Sequence, residues 1–133
     1  MSISILGVDG NPWTTRDMDA SSNNVITTYH KLGFSGNYVS GGDTLDFTSI
    51  AGLVPSGALP VSIFVDGLGG GTTLSGAGGF YGPVAGAALN NAKLKIFKNT
   101  AGSTAEYSAG AYGADVTGDS VTMQVTWRKL LSN

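Results

Sequence analysis

A chain of 133 residues fits one domain and is long enough to bury a core without disulfides or metal. Apolar residues make up 41% and charged residues only 12%. That balance excludes a charge-rich disordered segment and leaves Ser, Thr, Asn and Gly to form the solvated surface. A net charge of −2 and the absence of cysteine exclude a basic nucleic-acid footprint, disulfides, thiolate metal sites and cysteine nucleophiles.

In chain order, "MSISILGVDG" lacks the basic n-region and the long apolar run of a signal peptide. No later stretch approaches the ~20 apolar residues of a membrane span. The expectation is a chain made and folded in the cytoplasm, with no membrane partner. Asp9 to Asn24, "DGNPWTTRDMDASSNN", has no hydrophobic period, so residues 1–24 are expected to form an N-terminal arm or entry loop. The β-sandwich domain is expected over residues 25–133.

Strand signals then dominate. "VITTYHKL" (25–32) is rich in β-branched and aromatic residues. "TLDFT" sets Leu45 and Phe47 against Asp46. "PVSIFVDG" places Val61, Ile63 and Val65 on one face, with Ser62, Phe64 and Asp66 on the other. The Gly-rich stretch that follows, near residues 67–90, is expected to be a long functional or mobile loop. The only helix-like window, "GPVAGAALNNAKL" (82–94), overlaps its end and is weakened by its glycines and Asn pair. "KLKIFK" sets Leu94 and Ile96 against lysines. "SVTMQVTWR" alternates Val121, Met123, Val125 and Trp127 with Thr122, Gln124, Thr126 and Arg128, the pattern of a half-buried antiparallel strand. Together these predict an all-β, single-domain antiparallel β-sandwich, jelly-roll-like or immunoglobulin-like, with the strand order left open.

Reactive groups are few. His30 is the only histidine; no nucleophile elbow accompanies it, and a surface or interface strand position is expected. Asp43 with Asp46, and Asp115 with Asp119, are carboxylate pairs at Gly-rich strand entries, where Asp caps turn backbone. Glu106, the only glutamate, has no partner in sequence. "DGN" (Asp9–Asn11) and "DMD" (Asp17–Asp19) lack the spacing of an EF-hand loop and read as solvated acids. "GLGGGTT" and "GAGGFYG" lack the Lys-Ser/Thr and the helix of a phosphate loop. No catalytic, cofactor-binding or metal-ligating residue is therefore assigned, and the protein is not expected to be an enzyme. Trp127 is in phase with core positions. Trp13 and Arg16 in the arm, with Phe80 and Tyr81 in the Gly-rich loop, are the expected partner contacts, since exposed Trp and Tyr anchor interfaces.

One phrase occurs twice: "YVSGGDTLDFT" from Tyr38 and "DVTGDSVTMQV" from Asp115. Each reads as a strand-entry device in which Gly takes a positive φ, Asp caps the turn, and a core-facing alternation follows. "GNYVSGGDTLDFT" and "NNAKLKIFKNTAGSTAEYSAGAYGADVTGDSVTMQVTWRKL" resemble small structural proteins encoded near the major capsid gene of tailed bacteriophages. Among those the likeness is to head decoration, or cement, proteins. It covers residues near 25–48 and from about Asn90 onward. The resemblance implies a virion structural protein on the capsid surface. Its partner would be the major capsid protein, and it would assemble as a homo-oligomer, with a trimer favoured. A receptor- or glycan-binding module of a phage tail or fibre is the alternative.

Overall fold

The computed structural model describes residues 3–22, 24–51 and 59–128. The long central strand of its larger sheet is β11 (Val121–Arg128), flanked on one side by β3 (Val25–Phe34) and on the other by β6 (Pro60–Gly67). Its alternation decides which way it faces: Val121, Met123, Val125 and Trp127 are all buried, while Gln124 and Arg128 point to solvent. Two short strands, β1 (Ile3–Leu6) and β2 (Met18–Asp19), share the outer edge of β3. The smaller sheet runs β5 (Asp43–Leu45), β8 (Ala92–Thr100), β7 (Phe80–Val84), and β9 (Ser103–Glu106) pairs with β8. A two-residue ladder joins β4 (Asn37–Tyr38) to β10 (Gly110–Ala111). All pairings are antiparallel. Two single-turn helices, α1 (Thr48–Ala51) and α2 (Ala114–Thr117), and a 3-10 turn at Thr15–Asp17 complete the regular elements of the described residues.

The two sheets close on each other as an all-β sandwich. Ile26, Val121, Val125 and Trp127 from the larger sheet meet Leu45, Phe47, Leu94 and Ile96 from the smaller one. Trp127 is fully buried, and Phe47 stands edge-on to its ring at 5.9 Å and 89°. The open edge of β6 lies beside β7, and β1 approaches β5, so the layers also meet at both seams.

Three expectations are corrected here. The opening segment is woven into the sheet. β1 covers Lys31–Phe34 of the β3 edge and β2 covers Thr27–Thr28. Between them the chain loops out through a Leu6–Pro12 bridge and brings Trp13 down onto His30, at 5.7 Å between ring centroids. A polar segment without period can still be ordered by two short backbone ladders and one buried indole, and neither leaves a periodic signature. The Gly-rich stretch is interrupted by β7, whose Pro83 is tolerated because β7 is an edge strand. The helix-like window is divided among β7, a turn and β8. Within β6, Val61 departs from the face of Ile63 and Val65. Thr126 opposes Ser62 while Trp127 opposes Pro60, so Val61 is the extra residue of a bulge and is 53% exposed.

Candidate functional site

The chemistry-bearing side chains fall into an interior network and two outer faces. In the interior, four tyrosines each donate to a different carboxylate. Tyr38 donates to Glu106 (2.7 Å), Tyr81 to Asp119 (2.8 Å), Tyr107 to Asp115 (2.8 Å) and Tyr112 to Asp43 (2.5 Å). The rings of Tyr38, Tyr107 and Tyr112 lie within 6.3 Å of one another, and Phe34 joins them through Tyr112 and Tyr81. Burial pushes the Tyr38 hydroxyl up to about 12 and raises those of Tyr81, Tyr107 and Tyr112. These hydroxyls therefore act as fixed donors rather than as acids or bases. Glu106 is held below the usual carboxylate range by the Tyr38 hydroxyl and the Gly41 N–H. Of the carboxylates that invited an acid–base reading, Asp43, Asp115 and Asp119 are thus occupied as acceptors for tyrosine, and Asp46 accepts from Thr48 in its own turn.

Asp119 shows how completely. Its carboxylate accepts from Gly69 N (2.8 Å), Ser75 N (3.1 Å), Ser75 Oγ (2.5 Å) and Tyr81 Oη. Burial alone would raise its pKa, but these donors outweigh burial and hold it below the ordinary value. The Gly-rich loop between β6 and β7 is tied down by this side chain together with backbone bonds from Leu68 N to Ser120 O and from Leu74 N to Asp115 O. Gly67 and Gly69 are needed because a Cβ at either would collide with the carboxylate and with Ser75 or Thr73. A cavity of ≈460 Å³ runs between Lys31, Phe34 and the Thr117–Ser120 turn, with Asp119 as the one carboxylate in its lining.

The repeated phrase does more than open strands. The aspartate that follows the glycine in each copy, Asp43 or Asp119, is buried and takes a tyrosine hydroxyl. The turns themselves differ. Gly41 and Gly42 have φ of 92° and 117°, whereas Gly118 closes α2 at φ −87°, in the ordinary helical region. Positive φ is thus a property of the first copy alone.

His30 is corrected as well. It is 1% exposed, because β3 places Ile26, Thr28, His30 and Leu32 inward. Its Nε2 lies 2.7 Å from Thr28 Oγ1, which already accepts from Trp127 Nε1 at 3.0 Å. Burial holds the imidazole down to about 4, against weaker opposing effects from the Leu6 backbone and the charge of Asp17.

Of the four expected contact residues, Trp13 (9% exposed) and Tyr81 (5%) are in the interior, and burial removes both from the set available to a partner. The alternation of β7 puts Tyr81 inward and its neighbour outward. Arg16 is exposed, its Nε donating to Thr14 Oγ1. Phe80 is half exposed and stacks on Phe97 at 4.8 Å and 21°. The Phe97 ring reaches over Gly82, whose missing side chain makes room for it. Val84, Lys93 and Lys95 share this outer face of the smaller sheet. Asp9 accepts from Asn11, and Asp19 from Ser21. Among the described residues no group of three or more His, Asp or Glu side chains is placed to hold a metal ion, and no helix is long and apolar enough to cross a membrane.

Sequence reasoning missed the outer face of the larger sheet, where Tyr29, Gln124 and Phe64 stand in one row across three strands. Phe64 was visible as out of phase with Val65, but its alignment with Tyr29 is a matter of register. Comparisons of the chain with protein-family models, curated proteins and solved structures find no match.

Proposed function

We propose that the protein is a virion structural module that attaches as a homotrimer to the outside of a bacteriophage capsid and stabilises it. The observation that carries this reading is the outer face of β7 and β8. There the Phe80–Phe97 stack and Val84 present apolar surface on a rigid sheet, rimmed by Lys93 and Lys95. Aromatic side chains held this way supply contact area at low entropic cost. The likeness of the strand phrases to phage decoration proteins supports the same reading. So does the use of interior carboxylates as acceptors for tyrosine, which favours binding over catalysis. Contacts of this size suffice when three linked copies engage neighbouring capsid subunits at once.

The test is to add purified protein to bare capsids and follow cosedimentation and heat resistance, with native mass measurement for the trimer. Wild type is expected to bind in stoichiometric, many-copy amounts, and Phe80→Ser to bind at least tenfold more weakly with unchanged folding. Failure of wild-type protein to bind capsids would refute the reading. A handful of copies per particle would instead place it on a tail or fibre.

A further inference from the structure

Four of the five tyrosines are committed to carboxylates inside the domain. Tyr29 is the exception. It projects from β3 with 38% of its surface exposed, and its hydroxyl has no partner among the described residues. On the same face, Gln124 of β11 lies directly opposite Tyr29, and Phe64 of β6, 61% exposed, lies directly opposite Gln124. Two strand spacings put the aromatic residues roughly 10 Å apart. Together with Val8, Asp66 and Thr122 these residues line a groove of ≈250 Å³.

We infer that this groove is a saccharide-binding slot, with Tyr29 and Phe64 as its stacking walls and Gln124 as its hydrogen-bonding floor. The volume is below the range typical of drug-sized ligands and suits a single sugar ring. Its chemistry alternates as a pyranose does: apolar ring faces to either side, and between them an amide that donates and accepts, a hydroxyl and a carboxylate. Charge argues for the same occupant. At one end of the slot Lys31, Thr122 and Asp66 form a row in which the two charges offset each other. At the other end the next row is Thr27, Thr126 and Ser62. The lining itself holds one carboxylate, Asp66, and no cation, so the slot suits a neutral glycan rather than a phosphate or nucleic acid.

The inference does not depend on capsid attachment. The slot is on the outer face of the larger sheet, and the Phe80 surface is on the outer face of the smaller one, so the two lie on opposite sides of the sandwich. A protein seated through Phe80 would present the slot to the surroundings.

The experiment uses the full chain against an array of bacterial surface polysaccharides, followed by NMR titration with tetrasaccharides of glucose, galactose and N-acetylglucosamine. The expected result is binding by at least one saccharide, with shifts centred on Tyr29, Phe64 and Gln124. Tyr29→Ala and Phe64→Ala should each weaken it about tenfold, and Phe64→Trp should preserve or tighten it. Urea midpoints measured on each variant show that the fold is intact. The inference is overturned if no saccharide binds, or if binding is unchanged in both alanine variants. It is equally overturned if Tyr29→Ala abolishes capsid attachment while wild-type protein binds no sugar, because the face would then be a protein interface.

Discussion

Acid should destabilise this protein earlier than its carboxylates alone would allow, and His30 is the reason. In the unfolded chain the imidazole takes up a proton near its ordinary pKa of about 6.5. In the fold it resists protonation down to about 4, because it is buried beneath Trp13 with Nε2 engaged by Thr28. A lowered folded pKa means that the unfolded state binds more protons between those two values. Stability is therefore highest above pH 6.5, falls as pH drops towards about 4, and has no further His30 contribution below that. At 1.36 kcal/mol per pH unit of difference, the loss between pH 8 and pH 4.5 is about 2.5 kcal/mol. Urea denaturation at pH 8, 6.5, 5.5 and 4.5 measures it, with His30→Gln as the control that removes the titration. The variant should lose only the few tenths of a kcal/mol that carboxylates contribute in that window. The imidazole Cε1–H shift of folded wild type should stay that of a neutral ring at pH 5. Equal pH slopes in wild type and variant, or a ring titrating near 6.5 in the fold, would refute the reasoning.

Asp119→Ala should leave the hydroxyls of Tyr81 and Ser75 and the N–H groups of Gly69 and Ser75 without an acceptor. A loss of about 3 kcal/mol or more in chemical denaturation is expected, with faster amide exchange across the β6–β7 loop. Tyr81→Phe removes one donor of four and should cost only about 1 kcal/mol by the same measurement. Gly69→Ala is expected to lower stability by about 1–3 kcal/mol through collision with Asp119 and Thr73. Gly70→Ala, one residue on and meeting open space, should stay within about 0.5 kcal/mol; equal effects at the two positions would contradict the clasp.

What the sequence by itself determined is the material of the two sheets. Period-2 runs such as Val121–Trp127 and Leu94–Ile96 report which side chains face inward, because alternation is a local property of an extended chain. Strand β6 illustrates the limit of that logic: alternation alone put Val61 inward, and a bulge against Thr126 turned it out. Strands β1, β2, β4 and β10, of two to four residues, carry no readable period and exist because longer neighbours offer them an edge. Tertiary structure also decided which residues were left for function. Trp13 looked like an anchor in a polar segment but became the lid over His30, because β1 and β2 left that stretch of the β3 edge bare. Asp43 and Asp119 of the repeated phrase looked like turn caps, and they became acceptors for tyrosines 38 and 69 residues away. Tyr29 and Phe64, 35 positions apart and separated by a third strand, meet only through register. Hydrogen-bonded pairing between distant segments sets register, and composition and periodicity do not encode it one strand at a time.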